Sequence, residues 1–204
     1  MSRFAPGKNH YLQIVLFLFC TSPFFSLAQG TLPYVDPLIG TAPATTESAK
    51  RHGEGSEQKG QTYPTVGRPF GMTQWTPETR TTEAKCISPY YYNDRFLTGF
   101  RGSHWMDGSC TQDYGTATIM PFTSSQADTV SRFPVARLNH QEETSSPAYY
   151  SIRLNEFKIK AEVTGSVRCG FFRFSFNSEK GNYLQLRINS DKKKGKIWFD
   201  AQKN

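Results

Sequence analysis

Between residues 146 and 200, apolar and polar side chains alternate with a period of two. No other feature constrains the fold as much. Tyr150, Ile152 and Leu154 alternate with Ser151 and Arg153. Phe157, Ile159, Ala161 and Val163 alternate with Lys158, Lys160 and Glu162. Phe172, Phe174 and Phe176 alternate with Arg173 and Ser175, and Leu184, Leu186 and Ile188 with Gln185 and Arg187. A strand sends successive side chains to opposite faces, so this pattern predicts half-buried antiparallel strands. Turn-like separators at Asn155-Glu156, Gly165-Ser166 and 177–182 imply a meander of four or five strands. One sheet leaves an apolar face uncovered, so a second sheet or domain must pack on it. Residues 96–101 and 116–120 can supply further strands. Sixteen Phe and ten Tyr suit that use. The expectation is an all-β, antiparallel β-sandwich with no helix longer than two turns.

The first residues belong to a different problem. Arg3 and Lys8 precede an apolar run from Leu12 to Phe25, and Ser26-Leu27-Ala28 places small residues at −3 and −1 of a cut before Gln29. This is the shape of a secretory signal peptide over residues 1–28, which implies an exported, periplasmic or extracellular protein. Thr21-Ser22-Pro23 interrupts the run, and a membrane span needs about 20 apolar residues, so no stable span is expected. Phe19 stands where a lipidation site needs a small residue before Cys20.

Removal of residues 1–28 takes two basic residues and no acidic one from totals of 24 and 17, which leaves a net charge of +5. Much of that excess is Lys192, Lys193, Lys194 and Lys196. They lie between two strand-like runs and read as a solvated hairpin turn, so no nucleic-acid partner is expected. Cys86, Cys110 and Cys169 have no CxxC spacing and give no support to a zinc or thiol-redox site. One disulfide among them suits an exported protein, with the pair left open.

Two segments carry candidate chemistry. Residues 60–72 hold three glycines and two prolines, which fix a loop of unusual backbone shape. Residues 99–115 gather Arg101, Ser103, His104, Trp105, Asp107, Cys110, Asp113 and Tyr114 among four glycines. Aromatic platforms beside carboxylates and amides suit sugar recognition, and a packed loop with a buried Trp is the other reading. A Ser103/His104/Asp107 triad, a Cys110 nucleophile beside His104 or His140, an Asp107/Asp113 carboxylate pair and a His52/Glu54/Glu57 metal site are each formal options without support from spacing.

The same residues resemble glycoside hydrolase family 92, the exported exo-acting α-mannosidases. Tyr34-Val35-Asp36-Pro37-Leu38-Ile39-Gly40-Thr41 is similar to the family's opening, and Thr62-Tyr63-Pro64 with 68–77 to its Gly/Pro loop and following strand. Gly99-Phe100 through His104, then Asp113-Tyr114-Gly115 and Ile119-Met120-Pro121, resemble its His-rich loop. Residues 146–150 and 159–164 are similar to its sandwich strands. The resemblance implies a β-sandwich (supersandwich) of the galactose-mutarotase-like, carbohydrate-binding kind over residues 29–204, incomplete at its C-terminus. It also implies a partner, the protein's own C-terminal (α/α)6 barrel, which lies beyond Asn204. The implied activity is calcium-dependent inverting hydrolysis of mannose-containing glycans, N-glycans among them, by one carboxylic acid and one carboxylate. Both carboxylates and most calcium contacts would lie in that barrel, so the 204 residues alone are expected to be inactive.

The sandwich would line one side of the sugar cleft. The matching positions are His104, Trp105, Asp113, Cys110 and Arg101. This chain departs from the family's Gly-Phe-Ser-His-Thr-His pattern at Arg101-Gly102, where the first His is replaced, so linkage preference stays open. Arg101 could take an anionic sugar substituent or form a structural salt bridge. A stand-alone carbohydrate-binding module is the alternative to a domain of an enzyme.

Overall fold

The computed structural model describes residues 30–52, 60–111, 113, 117–125, 133–189, 195–198 and 200. The expected signal peptide at 1–28, Glu54, Glu57, Tyr114 and the lysines at 192–194 lie outside these residues. The fold belongs to the unit from Leu32 onward. No helix among the described residues is long and apolar enough to cross a membrane.

Among the described residues ten strands form three antiparallel sheets. They are β1 (Gln74–Glu78), β2 (Phe96–Leu97), β3 (Gly99–Ser103), β4 (Ala117–Ser124), β5 (Ala136–Arg137), β6 (Glu143–Ser146), β7 (Tyr149–Leu154), β8 (Ile159–Gly165), β9 (Gly170–Phe176) and β10 (Gly181–Ile188). One four-stranded sheet has the order β1-β3-β4-β10 and the other β6-β7-β8-β9, with β2 and β5 as a short pair. The alternation at 150–176 gives strands β7, β8 and β9 as expected. Two details differ. Phe157 belongs to a 3-10 turn, Asn155–Phe157, whose C-cap Lys158 is left-handed, so β8 starts at Ile159. β10 leaves the meander and pairs with β4, Leu186 opposite Ile119. The meander therefore closes with β6, whose Glu143-Thr144-Ser145-Ser146 carries no apolar alternation. Of the second strand-like run, at 196–199, residues 196–198 form no strand and Phe199 lies outside the described residues.

The two four-stranded sheets pack face to face. Phe100 and Met120 of the first meet Tyr150, Ile152, Ile159 and Val163 of the second in one buried cluster. Phe100 lies 6.2 Å from the rings of both Tyr150 and Phe172. Full burial of each such side chain is worth about 1.5–3 kcal/mol. Trp75 of β1 meets Phe172 edge-on at 4.8 Å. A Cβ at Gly170 would sit 2.4 Å from the Trp75 ring, so that contact requires glycine. Gly99 has φ +146°, and a Cβ there would sit 2.4 Å from Thr118, so the expected single strand at 96–101 breaks into β2 and β3.

A second buried cluster lies under the loops: Tyr63, Tyr90 and Trp105. It sits beside β3, whose five residues are all buried.

Candidate functional site

β3 runs out at Ser103, and the chain then loops through His104–Thr111 and returns at Asp113. Polar groups hold that loop. Asp113 is buried, and its carboxylate accepts hydrogen bonds from the Ser103 hydroxyl at 2.8 Å and the His104 amide at 3.0 Å. The Ser103 oxygen in turn accepts the Trp105 amide at 3.2 Å. Arg101 Nε lies 3.2 Å from Asp113, and its other nitrogens lie 3.7 Å from Glu78 and 3.9 Å from Glu83. Its guanidinium also donates to the Thr82 carbonyl at 3.0 Å. Glu78 pairs with Arg187 and accepts the hydroxyls of Thr98 and Thr118 at 2.7 and 2.9 Å. Three carboxylates thus face two guanidiniums in the interior, and burial of each charge is tolerable because the others offset it.

This arrangement decides between the two readings of Arg101. The side chain is 1% exposed and committed to Asp113, Glu78 and Glu83. It is a structural ion pair and has no surface to offer an anionic sugar substituent.

Trp105 is 2% exposed and packs on Tyr63 at 5.6 Å, so it is the packed-loop Trp and not an open platform. The Tyr63 hydroxyl lies 2.6 Å from the Trp105 carbonyl and 2.7 Å from Gln74 Oε1, and its one proton is donated to one of them at a time. Burial pushes its phenol well above its ordinary pKa and keeps it a donor.

Cys110 is disulfide-bonded to Cys86, and Cys169 is free and exposed. The pairing removes Cys110 as a thiol nucleophile. It also laces three loops together: Gln61 donates to the Cys86 carbonyl at 3.2 Å, and Gly108 donates to the Gln61 carbonyl at 2.6 Å.

The surface left open is built by His104, Met106 and Asp107 beside Gly71, Met72 and Gln74, which line a cavity of about 340 Å³. A neighbouring cavity of about 370 Å³ shares Gln74 and Asp107 and adds Val35, Ile39, Arg68 and Pro147. His104 Nε2 lies 3.3 Å from the Thr73 hydroxyl. The protein beside Asp107 desolvates its carboxyl and raises its pKa, against a hydrogen bond from the Tyr63 main chain. Phe70 projects fully into solvent at the rim with φ +60°, a backbone conformation that side chains avoid. Polar groups at the centre and apolar ones around them suit a ligand with hydroxyls and C–H faces.

Of the five expected residues, only His104 lies on this surface with its side chain open. Cys110 is exposed nearby, while Arg101, Trp105 and Asp113 support the loop from beneath. Sequence reasoning passed over Gln74, Met72 and Tyr63. For Tyr63 and Met72 the signal was the Gly/Pro segment at 60–72, which folds onto the His104 loop, and Gln74 opens β1 just after it. The formal triad is not assembled, since Ser103 donates to Asp113 and His104 faces Thr73. Asp107 and Asp113 sit in different surroundings, one at the rim and one with Arg101. Among the described residues no group of three or more His, Cys, Asp and Glu is placed to hold a metal ion. Of the His52/Glu54/Glu57 option, the His52 side chain and both glutamates lie outside the described residues.

Fold and site together define an antiparallel β-sandwich whose loops build a polar depression framed by apolar side chains. The chain matches the model of the glycosyl hydrolase family 92 N-terminal domain over residues 34–203, and it belongs to that family. No curated protein matches the chain. Among solved structures it is similar to a family 92 inverting mannosidase of Bacteroides thetaiotaomicron, with 29% identity and TM-score 0.60 over 76% of this chain. It is also similar to a family 92 α-mannosidase of the same organism in complex with mannoimidazole, with 28% identity and TM-score 0.61 over 76% of this chain. In each case the match spans 19% of the other chain's length.

Proposed function

We propose that this chain is the sugar-facing N-terminal domain of an exported, calcium-dependent, inverting exo-α-mannosidase that acts on mannose-containing glycans. The observation that carries the proposal is the family match across residues 34–203. Solved neighbours described as mannosidases, one of them bound to mannoimidazole, support the substrate class. Within this domain, His104, Gln74 and Asp107 would meet sugar hydroxyls, and Met72 and Met106 would border the ring. Arg101, Trp105, Asp113 and the Cys86–Cys110 disulfide would hold that edge in place. Among the described residues no group of three or more His, Cys, Asp and Glu is gathered for the ion, so no step is assigned to it here. Both carboxylates are assigned to the C-terminal barrel, and the 204 residues alone would not hydrolyse glycans.

The test is hydrolysis of α-linked mannobiose by the full-length gene product, with the anomer of the released mannose followed by NMR. Release of β-mannose that chelator abolishes is the expected result. No turnover, or release of the α-anomer, sinks the enzyme proposal. Saturable mannose binding by the isolated chain would favour the stand-alone module instead.

A further inference from the structure

A second depression, of about 510 Å³, shares no lining residue with the cavities around Asp107. Its walls are Tyr92, Asn93, Asp94, Arg95, Phe96, Arg137, Leu138 and His140. Its floor is rigid for two reasons. Tyr92 and His140 stack in parallel at 3.7 Å, and His140 is pinned at both nitrogens, by Glu143 at 2.6 Å and the Tyr92 carbonyl at 2.8 Å. The other wall is the β2–β5 pair, with Phe96 directly opposite Arg137 and the Leu138 amide bonded to the Arg95 carbonyl at 2.9 Å.

The charges of this depression sort into committed and uncommitted. Asp94 is taken by Arg80 at 3.1 Å and by the Thr79 hydroxyl at 2.7 Å. Glu143, behind the wall, is taken by His140 and by the hydroxyls of Tyr90 and Tyr150 at 3.0 and 2.7 Å. Among the described residues, neither the Arg95 nor the Arg137 side chain makes an ion pair. Both are exposed at the mouth, beside a Phe96 ring that is 47% exposed. Two guanidiniums therefore stand at the mouth, and the nearby Glu156 carboxylate is taken by the Arg137 amide at 3.0 Å.

We propose that this depression binds a sugar that carries an anionic group. Two guanidiniums offer forked donors to a carboxylate or sulfate. The Phe96 face suits the C–H side of a sugar ring, and the Asn93 amide can meet a hydroxyl. A neutral sugar gains only the ring and amide contacts, and a free anion only the arginines.

NMR titration of the 204-residue chain with glucuronate, glucose and acetate tests this. Glucuronate should shift the amides of residues 93–97 and 136–138 saturably, and more tightly than either glucose or acetate. Arg95→Ala with Arg137→Ala should weaken glucuronate about a hundredfold, about tenfold for each of the two lost charge-assisted partners. Raising NaCl from about 50 to about 500 mM should weaken it too. Both arginines are exposed, so the variant should keep the wild-type spectrum elsewhere, which serves as the folding control. Equal binding of glucose, equal binding of acetate, or an unchanged affinity in the double variant overturns the proposal. Absence of any saturable shift overturns it as well. None of these outcomes depends on mannosidase activity.

Discussion

The two ends of β3 are held by different physics. Phe100 enters the space between the sheets and is surrounded by aromatic and aliphatic side chains of β7, β8 and β9. Arg101, the next residue, and Ser103 enter a polar interior with Glu78, Glu83 and Asp113. The first environment tolerates repacking, because hydrophobic contact is non-directional. The second depends on partners at fixed angles, and removal of one leaves the others buried and unpaired. The candidate sugar-facing loop hangs from the second environment, so its shape depends on a few specific bonds.

Arg101→Ala should show the largest loss, about 3–5 kcal/mol by urea unfolding, because three buried carboxylates each lose a counter-charge. If the variant unfolds with wild-type stability, the polar interior is not what holds the loop. Ile152→Ala, in the hydrophobic half, should cost about 2–5 kcal/mol, and Ile152→Val much less. That graded response is absent from the polar half, where Arg101→Lys should restore little because one ammonium cannot face Asp113, Glu78 and Glu83 at once. Replacement of Cys86 and Cys110 together by serine should cost about 2–4 kcal/mol, since the bridge closes a loop across 24 positions. Amide exchange in residues 104–111 should rise in that variant while exchange in β7 and β8 stays near wild type.

Smaller effects come from two carboxyls with opposite signs. Glu162 on β8 is gripped by Arg173 through two bonds of 2.6 and 2.7 Å and by the Tyr149 hydroxyl at 2.6 Å. These hold its carboxyl well below the usual range. The unfolded chain therefore takes up the proton first as pH falls. The stability from Glu162 is complete above about pH 4.3, the ordinary glutamate value, and is lost as pH drops toward the folded value. Glu162→Gln should flatten that acid slope in thermal melts. Asp107 is raised, so its charged form is disfavoured in the folded state, and Asp107→Asn at neutral pH should leave the melting temperature equal or slightly higher. A marked drop would mean that the rim carboxylate supports the loop.

Strands β7, β8 and β9 were legible because alternation is a local signal: each residue's face follows from its position alone. β6 was not, since a polar strand is recognised only through its partner, here Tyr149–Ile152. β10 showed its alternation but not its destination, because pairing with β4 instead of β9 is a choice between edges that local pattern does not encode. The ordered motifs from Tyr34 to Thr164 carried the family resemblance, which the match over 34–203 bears out. Within the site, His104 kept an open side chain, whereas Trp105 and Asp113 did not. A residue's type gives its chemistry, but its exposure is set by residues far away in sequence. The sequence by itself determined strands β7, β8 and β9, the alternation of β10, and the family. Only the tertiary structure decided that Arg101 faces Glu78 and Asp113, that Cys86 pairs with Cys110, and that the loop at 60–72 meets the loop at 104–111. Those are contacts between distant segments, fixed when burial brings charges, sulfurs and loops into one interior.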